Sequence, residues 1–211
     1  MLQDLQAYFA TNASVFFTNA VQHVVLSLTS IVLAMLICVP LGVFISRKAR
    51  IADAVINAVN VCRVVPSLAV LALAMPLLGV GFLPALLALT VLACPPILIN
   101  TYTAFKEMDP LIREAAKGMG MSPMQTILKV EFPLALPVIV AGVRTASVEI
   151  IASASLAVLI GGGGLGNYIM NGIAMFNVTF LMLGAVPIAL LAIVSEVGFS
   201  LLLKRVTMYT S

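Results

Sequence analysis

Long apolar stretches restrict what this chain can fold into more than any other feature. Hydrophobic residues make up 62% of its 211 residues and charged residues only 9%, whereas a soluble domain carries about 25% charged residues. Because about 20 apolar residues in a helix cross a bilayer core about 30 Å thick, five stretches can each span a membrane. They are residues 21–46, 54–78, 82–105, 132–160 and 178–203. We therefore predict an all-α, polytopic membrane protein in which residues 1–211 form a single transmembrane domain.

The basic residues predict the direction in which the chain crosses the membrane. Nine of the 11 Lys and Arg residues follow span one, lie between spans three and four, or follow span five. The alternate segments, residues 1–20, 79–81 and 161–177, contain none. Since cytoplasmic segments are enriched in Lys and Arg, the amino terminus is predicted outside and the carboxyl terminus inside. We expect residues 1–20 to form a short helix at the membrane interface. The nine basic residues are Arg47, Lys48, Arg50, Lys106, Arg113, Lys117, Lys129, Lys204 and Arg205.

The predicted cytoplasmic segment 106–133 contains two helix-start signals separated by glycines. Asp109 can cap a helix that has Pro110 at its first position, and Gly118 and Gly120 can end that helix. Ser122 and Pro123 repeat the cap-plus-proline start. The segment is therefore predicted to form two short helices joined by a glycine hinge, with three methionines near the elbow.

The same segment carries a spaced motif. Glu114-Ala115-Ala116 is followed after three residues by Gly120, and nine residues later by 130–133, Val-Glu-Phe-Pro. This spacing resembles the EAA loop of bacterial ABC-importer permeases, which implies a type I importer fold and a coupling helix that docks into a groove on a cytoplasmic ATPase. Small residues allow close approach, and methionines adapt to a moving partner surface. The residues that the resemblance assigns to ATPase coupling are Glu114, Ala115, Ala116, Gly118, Met119, Gly120, Met121, Ser122, Pro123 and Met124.

Further segments resemble the osmoprotectant-uptake permeases, namely residues 65–69, 76–81, 100–103 and 160–169. This resemblance implies a cargo such as glycine betaine, carnitine or choline. The glycine-rich stretch is also similar to methionine-type importers, so methionine or another amino acid remains an alternative cargo. An intramembrane enzyme or a scaffold is a remote alternative, because the chain carries no HExxH or GxSxG motif.

The resemblance also implies partners and a location. They are a second permease subunit, identical or homologous, two cytoplasmic ATPase subunits, an extracytoplasmic substrate-binding protein and the lipid bilayer, with no nucleic acid. The chain is expected to be a transport subunit without enzymatic activity in a bacterial cytoplasmic (inner) membrane. It is expected to bind no metal or cofactor itself, since ATP and Mg²⁺ would be held by the ATPase.

Charged residues inside spans are costly and usually face the protein interior, where they pair or serve function. The four charged residues inside the predicted spans are Arg63, Arg144, Glu149 and Glu196. At about 1.5 Å of rise per residue, Arg63 and Glu196 lie about 15 Å and about 12 Å from the cytoplasmic ends of their spans. They are therefore predicted to form an ion pair, with Arg144 competing for the same carboxylate. The candidates for the substrate pathway are Arg63, Pro66, Ser67, Asn100, Arg144, Glu149 and Ser153.

The single histidine, a run of glycines and three cysteines also carry predictions. His23 is expected to be an interfacial residue. Residues 161–164, four consecutive glycines, are either a flexible outer turn or a compact turn that lets residues 167–176 fold back on the bundle. Cys38, Cys62 and Cys94 lie in apolar runs and are interpreted as small hydrophobic residues, not as a disulfide or metal framework.

Overall fold

Helices make up almost all of the computed structural model, which describes residues 2–210. No β-strand occurs within that range, so the all-α prediction is confirmed. A π-helical turn, Ile127–Glu131, joins α6 to α7, and a 3₁₀ turn, Ala154–Ile160, follows α7. The α-helices are α1 (Leu2–Ile45), α2 (Ala49–Val64), α3 (Ser67–Leu78), α4 (Phe82–Lys106), α5 (Pro110–Gly118), α6 (Pro123–Thr126), α7 (Phe132–Ser153), α8 (Gly166–Ala174) and α9 (Val178–Thr210).

Four stretches of helix in the described range are each long and apolar enough to cross a membrane, and a bent helix pair is long and apolar enough to form a fifth, broken span. The bent pair is α2 and α3, whose axes differ by 101°. The span predicted over residues 54–78 is therefore built from two helices joined at a sharp bend. Pro66 causes the break, because proline lacks a backbone N–H and excludes the helical conformation at the residue before it. Val65 is accordingly extended, at φ −71° and ψ 123°.

The amino-terminal segment is helical and continues into span one across a kink, and its position at the membrane interface stays a prediction. α1 is continuous from Leu2 except at Asn12, whose φ of −123° and ψ of 17° mark a kink. Aromatic packing explains this arrangement, because the segment is held against α8 and α9. The Tyr8 and Tyr168 hydroxyls lie 2.9 Å apart, and the Phe16 ring packs on Tyr168.

The centre of the bundle consists of α4 packed between α1 and α7. Lipid tails are as apolar as leucine, so helices in a membrane associate through close packing at small residues. Gly142 of α7 provides such a contact, because a Cβ placed there would lie 2.8 Å from the Pro96 carbonyl oxygen and 2.7 Å from Asn100 Cβ. Gly42 of α1 faces Thr101 of α4 in the same way, with Cγ2 2.7 Å from the position of a Cβ.

Loops that the charge pattern assigned to one side of the membrane lie at one end of the bundle. At one end, Arg47 after α1 contacts Glu131 at the end of the segment that precedes α7. At the other end, Gly81 N donates to the Ile160 carbonyl oxygen at 2.7 Å, and Gly164 N donates to Gln22 Oε1 at 3.3 Å. The grouping of the loops agrees with the prediction, while the direction of the chain relative to the cell stays a prediction.

The glycine-rich segment is a compact turn, the second of the two alternatives. Gln22 of α1 holds this turn through two hydrogen bonds. Its Oε1 accepts from Gly164 N, and its Nε2 donates to the Gly162 carbonyl oxygen at 3.2 Å. The turn lets α8 fold back onto α9. His23, the next residue of α1, is fully buried, and its Nε2 lies 3.1 Å from the Ile151 carbonyl oxygen. The turn and α7 therefore cover His23 inside the protein, and its expected position at the membrane interface stays a prediction.

The contact between α4 and α7 predicts that even one added methyl group will disturb the bundle. Gly142→Ala should lower the free energy of unfolding by about 1–3 kcal/mol, the usual cost of overpacking a core. Gly198→Ala is the matched control, because nothing lies within 4 Å of a Cβ at that position of α9. Thermal unfolding of the two purified variants in detergent measures the difference, and equal stability would contradict the packing argument.

Candidate functional site

The segment between α4 and α7 has the local structure that its sequence signals predict. Asp109 Oδ1 accepts a hydrogen bond from Leu111 N at 2.9 Å, so Asp109 caps α5. Ser122 caps α6 in a reciprocal capping box, in which Gln125 N donates to Ser122 Oγ at 3.3 Å and Ser122 N donates to Gln125 Oε1 at 2.9 Å. Between the two helices Gly120 has a φ of +78°, a conformation that favours glycine. The glycine hinge is therefore confirmed.

Most of the residues assigned to coupling are exposed at this end of the bundle. Ala116 is the exception, being buried, and Met121 is half-buried. Met121 N donates to the Ala116 carbonyl oxygen and closes the turn between α5 and α6. Met119 and Met124 are 71% and 64% exposed. The segment thus presents charged, small and flexible apolar side chains together, a combination suited to a partner surface. The exposed coupling residues are Glu114, Ala115, Gly118, Met119, Gly120, Ser122, Pro123 and Met124.

A buried carboxylate holds this segment against the membrane bundle. Glu131 is 0% exposed and forms ion pairs with Arg47 and Arg113. Arg113 Nε donates to Glu131 Oε1 at 2.7 Å, and Arg113 Nη2 donates to the Phe105 carbonyl oxygen at 2.5 Å. These contacts connect α5 to the α1–α2 corner, to the carboxyl-terminal end of α4 and to the start of α7.

Sequence reasoning missed this cluster. Glu131 occupies the variable position of the motif that ends at Pro133, so the resemblance gave it no role. A usable signal was present, since Glu131 is a single acid between apolar Val130 and Phe132 at the predicted basic end of the protein. A buried acid in such a place requires cationic partners.

A groove opens beside the break between α2 and α3. Its volume is about 640 Å³, within the range of small-molecule sites. Its walls come from α2, α3, α4 and α7. Five of the seven pathway candidates line it, namely Arg63, Pro66, Ser67, Glu149 and Ser153. Residues that lie far apart in sequence therefore line one cavity. The sequence analysis did not predict this cavity.

The other two pathway candidates do not line the groove. Asn100 Nδ2 donates to the Pro96 carbonyl oxygen at 2.7 Å, and its side chain packs where Gly142 leaves room. Arg144 lines a neighbouring cavity of about 710 Å³ with Glu196, and Glu149 lies at the border of both cavities.

The predicted ion pair between Arg63 and Glu196 is wrong, because Glu196 pairs with Arg144. Arg144 Nε donates to Glu196 Oε1 at 2.8 Å. The physical reason is that α9 packs on α7, whereas α2 packs on α4 and α1. The prediction rested on the similar depths of Arg63 and Glu196, and depth alone does not say which helices are neighbours. Among the described residues, no group of three or more His, Cys, Asp or Glu side chains could hold a metal ion.

Apolar spans, an exposed helical loop braced against them and a partly polar groove between them define a membrane permease. Residues 38–208 match the family described as "Binding-protein-dependent transport system inner membrane component", and the chain belongs to this family. It is thus the permease subunit of an ATP-binding-cassette importer of the inner membrane. It is a transport component without enzymatic activity, and it works with ATPase subunits and a binding protein.

Relatives cover nearly the whole chain. The glycine betaine/carnitine/choline transport system permease protein OpuCB of Bacillus subtilis is 40% identical over 206 residues, 98% of this chain and 95% of the relative. The osmoprotectant import permease protein OsmW of Salmonella typhimurium is 41% identical over 194 residues, 90% of each chain. An inward-facing structure of the MetNI methionine ABC transporter has a TM-score of 0.83 at 23% identity, covering 90% of this chain and 95% of that one. This last likeness confirms the fold alone.

The Glu131 cluster predicts that loss of one charge will release the coupling segment. Glu131→Gln removes the anion that both arginines share, at a cost of about 1–3 kcal/mol, so α5 should detach while the spans remain folded. Limited trypsin digestion of the purified protein should then cut within residues 106–133 several times faster than in the wild type. Glu107→Gln, an exposed acid at the same end, is the control. Unchanged cleavage in Glu131→Gln would contradict a bracing role.

Proposed function

We propose that this permease imports a small quaternary-ammonium osmolyte such as glycine betaine, carnitine or choline. The observation that carries this proposal is the identity of about 40% along almost the whole chain to permeases named for these compounds or for osmoprotectants. A methionine or other amino-acid cargo is less well supported, because the likeness to the methionine transporter rests on the fold at 23% identity.

The groove is open on one side, so a second permease subunit would be needed to enclose a pathway. We propose a pair of permeases, identical or homologous, with two ATPase subunits at the cytoplasmic end and the binding protein at the other. The ATPases would bind ATP and Mg²⁺. The basic residues near Arg47 and in segment 106–133 support a cytoplasmic position for this end and an outer position for the amino terminus.

The braced loop gives a route for coupling ATP hydrolysis to the spans. An ATPase that moves α5 would pull on Glu131 through Arg113, and the same carboxylate holds Arg47 at the α1–α2 corner. Movement would thereby reach α4 and α7, two of the helices that line the groove. Contiguous ion pairs and rigid helices are a physical means of such transmission.

The groove chemistry suits a weakly held cargo. None of its lining residues is aromatic, so strong cation–π binding would reside in the binding protein. Its walls are mostly aliphatic, with the Glu149 carboxylate among them. A quaternary ammonium group has no N–H donors and is satisfied by a carboxylate and methyl contacts. Moderate affinity favours release to the far side.

Uptake by the complete importer tests cargo and coupling together. Proteoliposomes holding the permease, its ATPase and its binding protein should accumulate labelled glycine betaine, carnitine or choline on addition of ATP, and not methionine. Glu114→Lys should abolish uptake without loss of folded permease, because it reverses a charge on the exposed face of α5. Glu107→Lys, the same change outside the coupling set, should retain uptake. Methionine accumulation alone would refute the cargo, and normal uptake in Glu114→Lys would refute the role of the loop.

Thiol labelling tests the orientation. In a background without native cysteines, Phe176→Cys, at a residue that is 95% exposed between α8 and α9, should react with an impermeant reagent added to intact cells. Gly118→Cys, which is exposed at the other end, should react only after the membrane is opened. The reverse pattern would overturn the proposed orientation, and disrupted cells provide the control that both sites are reactive.

A further inference from the structure

We infer that Arg63 and Glu149 form a binding site for a zwitterionic cargo in the groove, with Arg63 meeting the carboxylate and Glu149 meeting the quaternary ammonium group. This inference rests on the proposed function and narrows its cargo class. The site combines two opposite charges, located on α2 and α7, with the apolar walls between them.

Two of the charged residues in the spans neutralise each other. Of the four charged residues in the spans, Arg144 and Glu196 satisfy each other across α7 and α9. Both lie in the neighbouring cavity, and their pairing removes them as binding groups. One cation and one anion are left, Arg63 and Glu149, and both line the groove.

The two remaining charges lie unpaired beside the groove. Arg63 and Glu149 line the same groove, yet within residues 2–210 the two side chains form no ion pair with each other or with another group. An isolated charge inside a membrane is expensive, so two unpaired opposite charges at one cavity need a counterpart. A molecule that carries both charges can bridge them, whereas a simple cation can satisfy only one.

Positive and negative groups lie in different parts of the groove lining. Arg63 lies beside Pro66 and Ser67, where α3 begins in the wall of the same cavity. Helix amino termini carry partial positive charge, which adds to that of Arg63. Ser153 lies one helical turn beyond Glu149 on α7 and also lines the groove. The part of the groove formed by Arg63 and the start of α3 therefore favours a carboxylate, and the part formed by α7 favours a cation.

The apolar lining of the groove favours one kind of cation over another. A primary ammonium group brings three N–H donors that need acceptors, and the walls facing the groove are mainly Leu, Val and Ala side chains. A trimethylammonium group brings methyl groups in place of donors and packs against those walls without unsatisfied hydrogen bonds. The groove thus fits a carboxylate linked to a quaternary ammonium better than an amino acid.

The test compares two cargos that differ by the carboxylate. The complete importer is reconstituted in proteoliposomes with wild type, Arg63→Gln or Arg63→Lys permease, and uptake of glycine betaine and of choline is measured with saturating binding protein. Arg63→Gln should lower glycine betaine uptake at least about tenfold, and Arg63→Lys should restore much of it because the charge is kept. Choline uptake, where the wild type shows it, should be unchanged in Arg63→Gln, which also demonstrates a folded importer.

The second charge is tested in the same assay. Glu149→Gln should lower uptake of both compounds about tenfold or more, since both carry the quaternary ammonium, and Glu149→Asp should retain more activity. Unaltered glycine betaine uptake in Arg63→Gln or Glu149→Gln, equal loss of both cargos in Arg63→Gln, or no rescue by Arg63→Lys would overturn the zwitterion site. Wild-type uptake of choline without glycine betaine would overturn it too. Uptake of none of glycine betaine, choline and carnitine by the wild type would instead refute the proposed function.

Discussion

The close contact of α4 with α1 and α7 is the constraint on which the rest of this structure depends. Lipid provides no hydrophobic drive for helices to associate, so stability comes from surfaces that fit. Gly42 meets Thr101, and Gly142 meets Asn100 and the Pro96 carbonyl, at distances that larger side chains would not permit. With these three helices fixed, α9 packs on α7, and the broken pair of α2 and α3 packs on α4, which leaves the groove between the break and α7.

The buried carboxylate of Glu131 joins this bundle to segment 106–133. Its cost in isolation is high, and it is offset by Arg47 and Arg113 from two different segments. The arrangement gives segment 106–133 a firm attachment close to its exposed face. It explains how a loop of modest size can be both accessible to a partner and mechanically connected to the groove.

The four charged residues within the spans have two different surroundings in the structure. Arg144 and Glu196 pair across packed helices, whereas Arg63 and Glu149 line a cavity. Sequence reasoning assigned Arg63 to Glu196 because their depths agree, and it listed Arg144 as a competitor. The outcome depended on which helices touch, because α9 packs on α7 whereas α2 packs on α4 and α1.

The sequence by itself determined the apolar spans, the loops that share an end, the caps at Asp109 and Ser122 and the glycine hinge at Gly120. Each depends on nearby residues or on composition, because hydropathy, capping and backbone freedom are local properties. Tertiary structure alone decided the burial of His23, the bracing of α5 by Glu131, the partner of Glu196 and the gathering of Arg63 with Glu149. These features depend on the rotation and adjacency of helices distant in sequence, and helix periodicity in so uniformly apolar a chain gives little sign of which face meets a neighbour and which meets lipid.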